Sequence, residues 1–429
     1  MPETLLYFLW QFQYFDLAGL ATSGGESVQV LHPGFRNDDS GPDFANARLI
    51  INDVEWAGTV EIHTKTSDWL AHRHQRDRAY DNVILHVVWE DDRTGIGRQL
   101  TRTDGTPIPT LELQHRTDHT LLSRYEALAV SGGSIACAGQ FRAVQPLKLT
   151  SMLDKAMLQR LERKAADVKA LFLAANQDWE ETTYRLLARN FGFKVNADPM
   201  EQLARAVPLK ALLKHRDALV QVEAMLFGTA GLLAETGETD EYLETLRREY
   251  RFLAVKYNLA ASELSAHGWK WGRLRPANFP TLRLAQFARL VATSGSLFSL
   301  LIEADDALLL GKALQVVPSA YWQTHYRFGK ATEKGAPALG QTSAATIVVN
   351  TVVPLLAAYA HHREEPAYID RAIALLEQLP AEHIRITAGW ADLGLSVRTA
   401  FDSQASIELF NEFCTPKKCL SCQIGLALV

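Results

Sequence analysis

The chain has 429 residues and a formal charge of −5, with 47% hydrophobic and 22% charged residues. That length exceeds one ordinary hydrophobic core, so two or three domains are expected, and the balanced composition excludes a disordered or low-complexity chain. The mild negative charge excludes a general polyanion binder; any contact with DNA or RNA must use local basic patches.

Residues 3–15 read as a helix with apolar residues suited to burial. The N-terminal stretch lacks a basic segment and carries Glu3 and two glutamines, which argues against a secretory leader. Residues 27–34 read as a strand ending in a Pro-Gly turn, and 35–44 as a polar loop. Strands follow at 45–52 and 54–64, joined at Asn52-Asp53, a hairpin signal. Ser67 reads as the N-cap of a helix over 67–81. Residues 83–90, VILHVVWE, are nearly continuously apolar, as in a buried central strand. A second hairpin is expected across 100–113. From about residue 145 the pattern changes to amphipathic helices, at 149–176, 178–190, 200–236, 238–258, 281–311, 343–360, 366–378 and 403–413. Glycine and proline near 268–280 mark an irregular segment. The apolar run 346–360 is broken by Asn350 and Pro354 and is too short to span a bilayer. A soluble, cytoplasmic protein with no membrane contact is the expectation.

Chemistry concentrates in the first part. Gly41-Pro42-Asp43 precedes one strand and Glu61-Ile62-His63 lies near the end of the next. Alternation along a strand puts Glu61, His63 and Lys65 on one face. A hairpin centred at 52–53 brings position 43 opposite positions near 62, so Asp43 and Glu61 meet. Two adjacent carboxylates repel unless a cation separates them, and hard oxygen ligands favour Mg²⁺ or Mn²⁺. His72, Arg73, His74, Arg76 and Arg78 follow; on a helix His72 and Arg76 share a face and can hold a phosphate, or the run is a solvated face. His86, inside an apolar strand, reads as a hydrogen-bonded core residue.

The element order with Pro42-Asp43 and Glu61-Ile62-His63 resembles the PD-(D/E)XK phosphodiesterase superfamily. The resemblance implies a restriction-endonuclease-like α/β core (helix, three strands, helix, strand) over 1–145; the helical patterning after it makes 146–429 a large all-α domain. The resemblance also implies that Asp43, Glu61 and the carbonyl of Ile62 ligate the metal. His63 stands where that superfamily has its catalytic lysine, and Lys65 lies two residues beyond. The phrases GPDFANARL, GTVEIHTKTSDWLAHRH, AYDNVILHVV, RLRPANFPTLRLAQFA and FCTPKKCLSCQIG together resemble a bacterial family of unknown function numbered 2851, across nearly the whole chain.

Three of the four cysteines, Cys414, Cys419 and Cys422, lie close together near the end of the chain, with Cys137 as the available fourth. Four thiolates can hold Zn²⁺ or a [4Fe–4S] cluster. Some nucleases of the resembled superfamily carry an iron–sulfur staple of one distant and three C-terminal cysteines; this arrangement is similar in kind but differs in spacing and in the place of the lone cysteine. Trp269, Trp271, Arg273, Arg275, Asn278 and Arg283 form a basic, aromatic stretch that either contacts nucleic acid or is a packed connection between helices, the second being favoured for tryptophans. The expectation is a metal-dependent nuclease, with a catalytically degenerate scaffold that binds nucleic acid or protein as the alternative. A metal-stapled helical interaction protein is a third reading.

Overall fold

The computed structural model describes residues 2–37, 40–93, 99–130, 133–233, 240–333, 335 and 338–429. The parts of the sequence expectations on residues 38–39 and 234–239 lie outside these. The chain forms two compact units, one of Met1–Leu149 with Asn411–Val429, the other of Thr150–Phe410. The C-terminal cysteine segment groups with the α/β unit rather than with the helices.

The first unit opens with helix α1 (Glu3–Phe12), followed by strands β1 (Val28–His32), β2 (Phe35–Arg36), β3 (Phe44–Ile51) and β4 (Val54–Lys65). Helix α2 (Asp68–Ala71), strands β5 (Val83–Glu90) and β6 (Thr110–Glu112), and helix α3 (His119–Val130) complete it. The sheet order is β1-β3-β4-β5-β6, with β2 also paired to β3. β1, β2 and β4 run antiparallel to β3, whereas β4–β5 and β5–β6 are parallel. At the β3–β4 hairpin Ile51 faces Val54, and Asn52 and Asp53 take φ of 48° and 66°. Both central residues at positive φ make the turn that matches strand twist, and Asn and Asp tolerate it.

Alternation sorts β4. Val60 and Ile62 join Leu5, Leu6, Leu9 and Trp10 of α1 in the main core with Phe44, Leu49, Leu85 and Val87. Glu61 and His63 therefore face the other side. β5 is buried along most of its length, and a smaller cluster of Trp69, Val83, Leu100 and Ile108 covers its second side. That double cover explains its unbroken apolar run.

Three expectations need correction. Residues 67–81 are not one helix: α2 is four residues long, Arg73 adopts φ 65°, and 3₁₀ turns follow at His74–Arg76 and Arg78–Tyr80. Ser67 makes no capping bond; its hydroxyl instead donates to Asp92 Oδ2 at 2.7 Å. The hairpin in 100–113 is shorter than expected, an antiparallel Thr101–Pro107 bridge with the Ile108 N–H on the Leu100 carbonyl, and β6 after it joins the main sheet parallel to β5.

Gly58 lies where β4 begins to pair with β5. A Cβ there would sit 2.5 Å from Ile84 Cγ2 and 2.6 Å from the Asn82 carbonyl. Gly58→Ala is expected to cost about 2 kcal/mol by overpacking, read as a lower urea midpoint at unchanged slope. An unchanged midpoint would refute the close approach.

The second unit is helical: the chain enters it along α4 (Pro146–Ala174) and continues through α5 (Trp179–Phe191), α6 (Phe193–Ala206), α7 (Leu209–Leu213), α8 (Leu219–Thr229), α9 (Glu241–Tyr257) and α10 (Pro280–Thr293). The irregular segment before α10 contains 3₁₀ turns at Ala266–Gly268 and Pro276–Asn278. The apolar run extends further than expected, as a helical span over Gln341–Arg363 long and apolar enough to cross a membrane, but 72% of its apolar window is buried inside the protein. Such burial is that of a core helix.

Candidate metal centre

The hairpin register, with Phe44 opposite Val60, sets Asp43 beside Glu61. The Asp43 N–H donates to Glu61 Oε2 at 3.1 Å, and the Ile62 N–H donates to Asp43 Oδ2 at 2.9 Å. The Tyr7 hydroxyl, from α1, also binds the Asp43 carboxylate. Each acid is thus tied to backbone at one oxygen. The second oxygen of Glu61 points to imidazoles rather than to Asp43. Glu61 Oε1 is 3.5 Å from His63 Nε2 and 3.5 Å from His74 Nε2. His63 Nε2 is in turn 3.0 Å from His72 Nδ1. His63, His72 and His74 each place a ligand nitrogen within 4.8 Å of the other two.

The inward turn at Arg73 makes this possible. Its left-handed conformation ends α2 and swings His74 back under the sheet, where the ring stacks on His63 at 5.2 Å. Tyr80 lies 3.7 Å from the His74 ring and Trp69 lies 5.2 Å from it, which fixes its orientation. On the other side His63 Nδ1 is 2.9 Å from Nε2 of the fully buried His86. A ligating imidazole is commonly oriented by such a partner on its second nitrogen.

Burial controls the charges. It pushes Glu61 up to about 9, helped by the neighbouring Asp43 charge, and pushes Asp43 up to about 6 against the opposing Ile62 hydrogen bond. It also lowers His63 to about 3 and His74 to about 4, with repulsion from neighbouring histidines adding to both. His86 is driven well down by the same cause. Neutral imidazoles keep a lone pair for a metal, and a cation among these groups would favour the ionised carboxylates. The donor set is therefore chemically suited to a cation of mixed nitrogen and oxygen preference.

Residues 3–384 match the family described as "Protein of unknown function (DUF2851)". The chain belongs to this family. No curated protein and no solved structure matches it. The DUF2851 match takes in Asp43, Glu61 and all the histidines of the cluster, and stops before Cys414.

The remaining site expectations divide. In this DUF2851 chain Lys65 does not join the cluster: its Nζ is 3.8 Å from Glu90 Oε2 on β5, at the exposed end of β4, where an opposite charge holds it. Ile62 contributes its N–H to Asp43 while its side chain is in the core. His72 and Arg76 do not share a helix face, because the helix ends between them; both are exposed, along with Arg73 and Arg78. Arg273 and Arg275 belong to the second unit and are exposed, and the segment around them is a packed connection. Trp269 is buried with its indole N–H on the Ala230 carbonyl at 2.9 Å, and Arg327 covers the Trp271 ring at 4.7 Å. Buried Arg283 binds Gln286, Asn278 and Ser343. His74, His86 and Tyr7 are the residues that sequence reasoning did not place in the site. The local density of histidine over 63–74 was the available signal for His74; Tyr7 had none.

Proposed function

We propose that this chain is a metal-dependent hydrolase of phosphodiester bonds in nucleic acid, with Glu61, His63 and His74 holding the ion and His72 on its solvent side. One observation carries the reading: a carboxylate oxygen stands 3.5 Å from the Nε2 atoms of both His63 and His74, beside the half-buried Asp43. Imidazole nitrogen suits Zn²⁺, and Mn²⁺ accepts mixed nitrogen and oxygen sites, whereas Mg²⁺ prefers oxygen and water. Zn²⁺ or Mn²⁺ is thus a better fit than the Mg²⁺ expected for two carboxylates alone. Such an ion supplies an acidified water and stabilises charge on a phosphoryl oxygen.

The chain's own groups supply the rest. Asp43 ionises closer to neutrality than Glu61 and is the acid better placed to accept a proton. Arg73, Arg76 and Arg78 are exposed on the loop that carries His72 and His74, and can hold phosphate oxygens. The element order also supports a restriction-endonuclease-like core: α1, antiparallel β1-β3-β4, then parallel β5, with one acid before β3 and one on β4. None of the four cysteines is in a disulfide, which fits a reducing, cytoplasmic setting.

A second reading, a binding scaffold without turnover, is favoured by the chemistry at position 63. The imidazole there stands where the resembled superfamily has its catalytic lysine, and Lys65 is engaged elsewhere. One experiment separates the two. Labelled single- and double-stranded DNA and RNA are incubated with the full chain and Mn²⁺, Zn²⁺ or Mg²⁺. Cleavage strongest with Mn²⁺ or Zn²⁺ and lost in Glu61→Gln is expected. Salt-dependent binding with intact substrate under all three ions would establish the scaffold and end the hydrolase reading.

A further inference from the structure

The three C-terminal cysteines do not trail from the helical unit. Residues 411–429 fold into the α/β unit, where Leu420 enters the main core and Leu426 and Val429 pack against it alongside Leu122 and Tyr125 near α3. The loop after α3 holds Cys137, itself buried at 8% exposure. Cys414 lies close enough to Cys137, Cys419 and Cys422 for their charges to repel, and Cys137 is similarly near Cys419 and Cys422. All four cysteines thus lie within electrostatic reach of one another in the first unit, and none is in a disulfide.

Local structure presents the sulfurs. The Lys417 N–H donates to the Cys414 carbonyl at 3.1 Å, and the Cys422 N–H donates to the Cys419 carbonyl at 3.2 Å, so one short turn starts at Cys414 and a second carries Cys419 and Cys422 at its two ends. Lys417 takes φ 54° to close the first turn. Phe413, Leu420 and Ile424 are buried between and beside the cysteines and pin the turns inward, while 415–418 stay exposed. A Cβ on Gly425 would lie 2.2 Å from the Cys419 carbonyl, so the final helical turn is packed directly on the Cys419–Cys422 turn.

We propose that Cys137, Cys414, Cys419 and Cys422 form a tetrathiolate site for a soft or borderline metal centre, zinc or iron–sulfur, that fastens the C-terminal segment to the α/β unit. The site is separate from the histidine cluster and does not depend on the hydrolase reading. Its chemistry is consistent: burial and mutual repulsion push the Cys137 thiol up to about 12 and raise Cys414 and Cys419. A bound metal inverts the preference by deprotonating its ligands, and Lys417, whose charge already lowers Cys419, offsets the thiolates.

The test uses the full chain purified without oxygen or chelator, with metal and acid-labile sulfide measured per chain. About one zinc, or about four irons with matching sulfide and visible absorption, is expected. The first result identifies zinc and the second iron–sulfur, and either supports the site if the Cys414→Ser, Cys422→Ser variant loses it. The Glu61→Gln, His74→Ala variant should keep this metal, which separates the two sites. Should the cysteine variant fail to fold, thiol titration of the native wild-type chain decides. Four thiols slow to react, and released together with the metal by a mercurial, support the proposal. Metal retained when the cysteine changes are added to the Glu61→Gln, His74→Ala variant, freely reactive thiols, or a native disulfide would overturn it.

Discussion

Replacing His74 by alanine is expected to weaken Zn²⁺ or Mn²⁺ binding by about 100-fold or more, and Glu61→Gln at least as much. Both residues contribute atoms that meet at 3.5 Å. His86→Phe should act one step removed. It leaves the donors in place but removes the group 2.9 Å from His63 Nδ1 that orients the ring, so a loss of about 10- to 100-fold is expected. His72→Ala, at the exposed edge, should cost least. The readout is linkage: at about 1,000 times the dissociation constant a metal stabilises the native state by about 4 kcal/mol, and a 100-fold weaker variant gains only about 1.4 kcal/mol. Thermal unfolding with and without metal should rank the variants in that order, and titration calorimetry should give the affinities directly. Equal metal-induced stabilisation in wild type and His74→Ala would remove the histidine cluster from consideration as a metal site.

The ranking depends on structure that the sequence showed unevenly. The Asn52-Asp53 turn is a local signal, and once it is read, strand alternation alone brings Asp43 to Glu61. The same reasoning put Glu61 and His63 on one face, and the unbroken apolar run at 83–90 marked the buried central strand. What failed was periodicity over 67–81. Its helical texture is overridden by tertiary packing, because Trp69 and Tyr80 enclose the His74 ring and Arg73 breaks the helix to put it there. No window of sequence contains that arrangement. The partners Tyr7 and His86 arrive from α1 and β5, and only the assembled sheet sets them against Asp43 and His63. The cysteine spacing was equally plain in the sequence, but the return of residues 411–429 to the first unit was not, since it depends on where Leu420 finds a core.

A second large effect is expected far from this chemistry, in the helical unit. Glu223→Gln should stabilise that unit by about 3 kcal/mol at pH 8 and by little at pH 4. Glu223 is 1% exposed on α8, and burial raises its carboxyl to about 7, against the opposing hydrogen bonds of Tyr242 and Ser319. The Tyr242 hydroxyl donates to Glu223 Oε2 at 2.5 Å and its ring stacks on Tyr321 at 4.2 Å, which holds the donor in place without offsetting the burial fully. Between the ordinary glutamate value of 4.5 and about 7 the folded chain binds more protons than the unfolded one. Stability from this group is therefore greatest below 4.5, falls as the pH rises through that window, and is level above it. Glutamine keeps a carbonyl acceptor for Tyr242 and carries no charge to bury, so its advantage should grow over the same window. Because the chain has two compact units, a single unfolding midpoint would mix them. Hydrogen exchange of the α8 amides reads the second unit alone. Parallel stability–pH curves for wild type and Glu223→Gln would show that the carboxylate stays ionised in the fold. The steep burial cost would then have to be met by groups other than Tyr242 and Ser319.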